Sequence, residues 1–223
     1  MPMSPRVSCL SALLIVAPLC ASAHPHVFID AGLSLRHDAA GALTHVGVEW
    51  AYDEFYSLLI IEDLGLDPDG DGVLTTDEQA ALQGFDADWE PGFDGRLFLD
   101  ADGRRLALNG PQDFAARYED GRVISAHVRP LAEPLDGDRP LTIQVYDPEY
   151  YVQFSIPEPP AIARDDCAVD LRMGDPYAAA DAYARAVGEA LGDGQSAEEA
   201  DLITVDIGAT GADSVQVRCG PGS

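Results

Sequence analysis

The sequence contains no lysine, so the positive charge of its 223 residues comes from 13 arginines alone. Without lysine there is no P-loop lysine, no Schiff-base lysine and no Ser-Lys dyad. The G-x-S-x-G and HExxH motifs of serine hydrolases and zinc proteases are absent too. With 39 acidic residues the formal net charge is −26, which makes nucleic acid an unfavourable partner. These absences favour a protein that is not an enzyme.

Long apolar runs are also missing, except near the start of the chain. Residues 1–23 combine Arg6, an apolar run over 13–19 and small residues at Ala21 and Ala23. The run is too short to span a bilayer, and the pattern is typical of a secretory signal peptide. We therefore expect a periplasmic protein that begins at His24 after processing and has no membrane anchor.

Cysteine is scarce, and the four cysteines fall into two groups. Cys9 and Cys20 lie in the predicted signal peptide, whereas Cys167 and Cys219 remain in the exported chain. Pairing is the default in an oxidising compartment, so we expect a disulfide between Cys167 and Cys219 rather than a thiolate metal site. Closing a loop of about 53 residues would stabilise the fold by roughly 4 kcal/mol in the chain-entropy model.

The first exported residues predict a β-hairpin. Apolar and polar residues alternate from Val27 to Leu35 and again over residues 43–52, with a turn signal at 38–41. Pairing His37 with Ala42 aligns the apolar rows of both strands on one face. This register places Asp53 opposite His26.

The rest of the chain predicts an α+β fold, mainly an antiparallel, sandwich-like β scaffold in a single domain over residues 24–223. A helix-loop-helix is expected as an insertion at about 53–86, and a hairpin is expected to turn at Asp102-Gly103. Further strands are predicted at 122–128, 141–146, 151–156 and 214–219, and a C-terminal helix at 176–191.

The sharpest motif is DPDGDGVLTTDE, which matches the twelve-residue calcium loop of an EF-hand. The glycine at the sixth position, Gly72, allows the sharp turn, and helical patterns flank the loop on both sides. The alternative is a solvated acidic loop. The predicted calcium ligands are Asp67, Asp69, Asp71, the Val73 carbonyl, Thr75 through water, and Glu78.

A second cation site is expected at the processed N-terminus. The amine and ring of His24 could chelate one metal, and His26 adds a third nitrogen from the same strand face. Nitrogen ligands suit Zn²⁺, Cu²⁺, Ni²⁺ or Co²⁺ rather than calcium. Pro25 has no N–H, which excludes the square-planar copper motif that uses the second backbone nitrogen. The hairpin register adds Asp53 as an oxygen ligand, and the alternative is a frayed terminus without metal.

Several motifs in order resemble a known family. HPHVFID after the leader, WAYDEF, DPDGDG, VYDPEYYVQF and the late cysteines are similar to uncharacterised bacterial periplasmic proteins. These are labelled periplasmic components of an ABC-type transport system and occur beside nickel/cobalt permeases of the NicO type, with a ZevA-like zinc-uptake branch. The resemblance implies a metal-binding partner of an inner-membrane permease. The residues on its motifs are His24, His26, Asp30, Trp50, Asp53, Tyr146, Asp147 and Tyr150.

Three alternative functions are therefore consistent with the sequence. The first is a metal-binding accessory protein that delivers zinc, nickel or cobalt to a permease and is stabilised by calcium. The second is a copper oxidoreductase with a histidine brace, which would need a further histidine, and His127 is its candidate. The third is a calcium-stabilised adhesion or scaffold module in which the histidines bind nothing. His37, His45 and His127 otherwise have the pattern of surface or loop residues.

Overall fold

The computed structural model describes residues 24–191 and 203–220, so the predicted signal peptide lies outside the described residues. Within these ranges the chain forms two β-sheets and three helices. The strands are β1 (Val27–His37), β2 (Leu43–Tyr52), β3 (Leu97–Ala101), β4 (Arg104–Arg105), β5 (Gln112–Glu119), β6 (Arg122–Leu135), β7 (Leu141–Val145), β8 (Val152–Ser155), β9 (Ala161–Ile162), β10 (Cys167–Arg172) and β11 (Ser214–Cys219). The helices are α1 (Glu54–Asp63), α2 (Thr76–Ala81) and α3 (Pro176–Leu191).

The main core is built from the inner faces of both sheets. The first sheet has the order β5-β6-β2-β1-β8, with β9 also beside β1, and the second has the order β10-β11-β7-β3-β4. Residues such as Ala31 and Val46 of the first sheet and Leu99 and Ile143 of the second belong to one buried cluster. The predicted mainly antiparallel β architecture is confirmed, although β8 and β9 pair with β1 in parallel.

The predicted register of the β1–β2 hairpin is wrong by two residues. Ile29 pairs with Tyr52 and Ala31 with Trp50, with an irregularity between Arg36 and His37. The turn is wider than expected because the Asp38 carboxylate accepts hydrogen bonds from Ala40 and Ala42, both at 2.9 Å. A shift by two residues keeps every side chain on its original face, so the apolar pattern could not detect it.

Helix α1 begins at a side-chain cap and is held to the first sheet. The Asp53 carboxylate accepts a hydrogen bond from Tyr56 N at 2.8 Å, which satisfies a free N–H of the first turn. Ser57 is fully buried, and its hydroxyl accepts a hydrogen bond from Val123 N at 2.9 Å. Because β6 lies on this side of the helix, the opposite side of α1 faces solvent.

Helix α2 and the turn after it protect the edge of β5 with two glutamine side chains four residues apart. The Gln79 amide donates to Tyr118 O at 2.9 Å and accepts from Tyr118 N at 3.0 Å. Gln83 repeats this pairing with both backbone groups of Ala116. The open edge of a strand is thus satisfied without another strand.

The predicted disulfide is confirmed. Cys167 and Cys219 lie directly opposite each other on β10 and β11, and they are bonded. Strand β10 is not among the predicted strands, and its alternating Val169 and Leu171 are half-buried at the sheet edge. The disulfide is compatible with an extracytoplasmic location.

Candidate metal centre

His24 and His26 lie beside each other at the start of β1. Their ring centroids are 4.5 Å apart at an interplanar angle of 76°. Two imidazoles that share one metal at about 2.0–2.1 Å from each nitrogen would have centroids roughly 4–6 Å apart. His26 is exposed and His24 is half-buried, so one ring faces solvent while the other borders the protein. The spacing fits the predicted two-imidazole arrangement.

The parallel pairing of β1 with β8 brings the VYDPEYYVQF motif beside the histidines. His26 N donates to Tyr151 O at 2.9 Å, and the rings of His26 and Tyr151 lie 4.8 Å apart. The segment HPHVFID and the segment YDPEYY therefore meet, although 125 residues separate His26 from Tyr151. Sequence patterns did not single out Tyr151, whose position depends on this long-range pairing.

Asp147 shapes the turn that presents Tyr151. One oxygen of its buried carboxylate accepts hydrogen bonds from Tyr151 N and Val152 N, both at 3.0 Å. The other oxygen pairs with Arg96 at 3.0 Å. Tyr150, within this turn, adopts a positive φ of 56° and is buried. Asp147 thus positions Tyr151 and does not approach the histidines through any described contact.

Helix α3 supplies the ring on the other side of His24. The Tyr183 ring lies 4.5 Å from the His24 ring, and Tyr183 is buried together with Ala179 and Val187 along one helix face. The spacing of four residues marks this stripe as a packing face, which is why Tyr183 carried no functional signal in the sequence. His24 is held between α3 and His26.

Asp53 does not lie where the predicted register placed it. It is opposite Phe28 instead of His26, with Asp53 N donating to Phe28 O and Phe28 N donating to the Asp53 carboxylate, both at 2.9 Å. Its other carboxylate oxygen caps α1. The argument that made Asp53 the oxygen ligand of the histidine site is therefore wrong, because both of its oxygens serve the backbone.

Asp30 follows His26 on the same outer face of the first sheet and forms an ion pair. Its carboxylate contacts Arg122 at 2.7 Å and the Ser155 hydroxyl at 2.5 Å. Partial burial works to raise the pKa of Asp30, but the hydrogen bonds from Ser155 and Arg122 outweigh it and lower the pKa below its ordinary value. Asp30 ties β1, β6 and β8 together as an ionised carboxylate.

The remaining motif residues are structural. Trp50 is buried in the main core, and Tyr146 stacks on Phe98 with centroids 4.1 Å apart. Tyr146, Asp147 and Tyr150 also line a cavity of about 140 Å³ between the two sheets and α3. These residues support the framework around the histidines.

The acidic loop gathers three carboxylates at the surface. Oxygens of Asp67, Asp69 and Asp71 lie within 4.8 Å of one another. Asp67 accepts hydrogen bonds from Asp71 N at 3.1 Å and Gly72 N at 3.0 Å, so its carboxylate organises the turn. Gly72 has a φ of +79°, as the predicted sharp turn requires. The pKa of Asp69 is raised by its hydrogen bond with Asp67 and by the charge of Asp71, a repulsion that a bound cation would relieve.

The rest of the predicted calcium loop has another local role. Thr75 and Glu78 form a capping box at the start of α2, with Glu78 accepting from Thr75 N at 2.7 Å and from the Thr75 hydroxyl at 2.8 Å. The hydrogen bond from Thr75 N, and secondly that from its hydroxyl, lower the pKa of Glu78. The structure thus shows two short helices flanking an acidic loop, with Glu78 held in the cap at the start of α2.

His127 is not the surface or loop residue that the sequence suggested. It is 2% exposed, lies on β6 and is enclosed by the rings of Trp50, Trp89 and Phe114. Burial, with a smaller effect of Arg129, lowers the pKa of His127 to about 4. His127 pairs with Val48, which pairs with Leu33, seven residues from His26 along β1. At about 3.3 Å per residue this separation is roughly 23 Å, too far for His127 to share a metal with His24.

A family model described as a protein of unknown function, DUF1007, matches residues 9–219. The chain belongs to the DUF1007 family. No curated protein matches it. The DUF1007 match spans both histidines, the acidic loop and the disulfide. Among the described residues of this DUF1007 protein, no helix is long and apolar enough to cross a membrane.

Proposed function

We propose that this protein is a periplasmic, metal-binding accessory of a transition-metal transport system and not an enzyme. The observation that carries the proposal is the close approach of His24 and His26, with ring centroids 4.5 Å apart, beside Tyr151 of the VYDPEYYVQF motif. Imidazole nitrogens favour zinc, nickel, cobalt or copper over calcium. A resident pair of histidines at a surface suits capture and release of such an ion.

The ligand set is the ring of His24, the ring of His26 and, after signal peptide removal, the free amine of His24. Tyr151 and Tyr183 border the two rings and restrict their rotation. A preorganised pair loses less conformational entropy when an ion binds. The site holds the ion through neutral nitrogens, so binding weakens in acid as these nitrogens take up protons.

Delivery to a permease is proposed from the family resemblance. The HPHVFID and YDPEYY motifs resemble those of proteins found beside NicO-type nickel/cobalt permeases, and the disulfide is compatible with the periplasm. The ion would pass from this protein to the inner-membrane permease as cargo. Nothing among the described residues favours nucleic acid as a further partner.

Calcium is proposed as a structural ion in the acidic loop. Asp67, Asp69 and Asp71 supply hard oxygen ligands, and the pKa of Asp69 is raised first by its hydrogen bond with Asp67 and then by the charge of Asp71. The Val73 carbonyl, Thr75 and Glu78 complete the proposed ligand set, for which Glu78 would have to leave its cap on Thr75. A single loop of this kind is expected to bind weakly, with Kd roughly 10⁻⁴ to 10⁻³ M.

The test is a titration of zinc, nickel and copper into protein that begins at His24 and into the same protein with one added alanine before His24. We expect the added residue to weaken binding at least tenfold, because it removes the amine from chelate geometry while both imidazoles remain. His45→Ala, a histidine on β2, is the matched control and should bind as the wild type does. Equal affinities of the processed and extended forms would reject the proposed chelate.

A further inference from the structure

Helix α1 is apolar on the side that faces solvent as well as on the side that packs. Six of its ten residues are apolar or aromatic, and its buried contacts are made by Ser57 and Ile61. On the solvent side Phe55, Leu58 and Leu59 are 69%, 58% and 38% exposed. A helix that is apolar all round is normally covered on all sides, and one of ten residues, about 15 Å long, is too short to span a membrane.

The start of α1 lies beside the strand that carries the histidine site. Phe28, on the outer face of β1, is 47% exposed and pairs with Asp53, the residue that caps α1. Tyr151 is 49% exposed and lies one strand away, next to His26. We define the docking surface as Phe28, Phe55, Leu58, Leu59 and Tyr151. An exposed apolar patch of this kind marks an interaction site more often than scattered single residues do.

The rim of the docking surface is negative. Glu54, Glu62 and Asp63 are exposed, and no described residue forms an ion pair with them. Helix α1 itself carries no basic residue. With a net charge of −26, a second copy of this chain or an anionic bilayer would meet strong repulsion at this rim. Charge complementarity therefore selects a basic partner.

We infer that the docking surface binds a partner protein that presents an apolar groove bordered by arginine or lysine side chains. The inference deepens the proposed function, on which it rests for the identity of the cargo, and the partner would be the permease. Leu58 and Phe55 insert into the groove while Glu54, Glu62 and Asp63 face its basic border. Because Tyr151 links this surface to His26, a partner bound here covers the exposed ring of the metal site.

The probe for this surface is a synthetic 18-residue helical peptide with one leucine face and one lysine face. A scrambled peptide of the same composition, without a continuous leucine face, is its control. We expect the wild-type protein at 0.15 M salt to bind the amphipathic peptide at least tenfold more tightly than the scrambled one. The Phe55→Ser, Leu58→Ser double variant should lose this tenfold preference.

Matched variants distinguish binding at this surface from nonspecific binding to other exposed apolar residues. Tyr177 on α3 and Met173 after β10 are 82% and 65% exposed and do not belong to α1, so Tyr177→Ser and Met173→Ser should retain wild-type peptide binding. Thermal melts check that every variant is folded. Equal binding by wild type and the α1 variant, or equal binding of both peptides, would overturn the inference.

Two other occupants of the surface give distinct results. Sedimentation of a wild-type dimer that becomes a monomer in the α1 variant would assign the surface to a second copy and overturn the inference. Flotation with phosphatidylglycerol vesicles that is lost in the α1 variant would assign it to the bilayer, with the same consequence. Zinc titration of the wild type and of the Phe55→Ser, Leu58→Ser variant keeps the two proposals apart. Absence of zinc binding by the wild type would reject the proposed function, whatever the peptide result.

Discussion

The two candidate cation sites differ in how the chain builds them. The acidic loop takes all of its acidic groups from one stretch of twelve residues, Asp67 to Glu78. The histidine site combines the start of β1, the turn before β8 and helix α3, with Tyr151 and Tyr183 far from His24 in sequence. The first depends on local backbone conformation, and the second depends on the pairing of strands and the packing of a helix.

Because of this difference, the geometry of each site depends on a different part of the fold. The loop turns because Gly72 and the Asp67 carboxylate arrange the backbone locally. The histidine pair keeps its neighbours only while β1 and β8 remain paired and α3 remains packed. Helix α3 packs through a small separate cluster of Tyr150, Ala179, Tyr183 and Val187. Damage to the fold should therefore harm the histidine site before it harms the loop.

The largest expected effect is the loss of transition-metal affinity in His26→Ala. Removal of an outer-shell partner typically lowers metal affinity about 10–100-fold. Removal of a direct ligand should have a larger effect, a loss of affinity of about a thousandfold. Calcium affinity should be unchanged, because the loop uses only oxygen ligands. Zinc and calcium titrations of the same preparation measure both affinities. An unchanged zinc affinity would contradict the claim that the histidines form a metal site separate from the acidic loop.

The next effect concerns the buried histidine. His127 has a pKa of about 4 in the folded protein against an ordinary value of 6.5, so the unfolded chain binds the proton first. The stability that neutral His127 contributes is therefore complete above about pH 6.5 and is lost as the pH falls to about 4, by roughly 3 kcal/mol. Urea unfolding between pH 7 and 4 measures how the free energy of unfolding depends on pH. This dependence should be weaker in His127→Phe than in the wild type, whereas His45→Gln should keep the wild-type dependence. Parallel curves for wild type and His127→Phe would contradict this assignment.

Removal of calcium should have an intermediate effect on stability. At 10 mM calcium and a Kd of roughly 10⁻⁴ to 10⁻³ M, mass action adds about 1.4–2.7 kcal/mol to the free energy of unfolding. In Asp67→Ala this difference between calcium and chelator should vanish, while the exposed control Asp88→Ala should retain it. Melting temperatures measured in calcium and in chelator test this prediction. Identical wild-type melting temperatures in the two conditions would contradict a structural role for calcium.

The smallest expected effect belongs to Asp53→Ala. The substitution removes the cap of α1 and the hydrogen bond from Phe28 N, so it should lower the free energy of unfolding by about 1 kcal/mol. Zinc affinity should stay within twofold of wild type, because Asp53 lies opposite Phe28 and not opposite His26. A tenfold loss of zinc affinity without loss of stability would instead return Asp53 to the metal site.

What the sequence predicted correctly was largely local. The β1 and β2 strands, the turn at Asp102-Gly103 and α3 followed from periodicity and turn residues. The disulfide followed from cysteine number and compartment, and is confirmed. Strand β5 was missed because its edge pairs with Gln79 and Gln83 instead of a neighbouring strand, so its polar and alanine residues show little alternation.

The errors share a physical cause. An apolar pattern with a period of two cannot distinguish registers that differ by two residues, and this misplaced Asp53. The burial of His127 could not be predicted from its own strand, because the rings that bury it come from β2, β5 and the segment before β3. Tyr151 and Tyr183 meet the histidines only through tertiary contacts.

The central claim is that His24 and His26 hold a transition-metal ion, and X-ray absorption spectroscopy of the zinc complex tests it most directly. The sample is protein that begins at His24, loaded with one equivalent of zinc, beside His26→Ala treated in the same way. The account predicts nitrogen neighbours at about 2.0–2.1 Å with the multiple scattering of two imidazoles, falling to at most one in His26→Ala. A wild-type spectrum with oxygen neighbours alone, unchanged by the substitution, would contradict it.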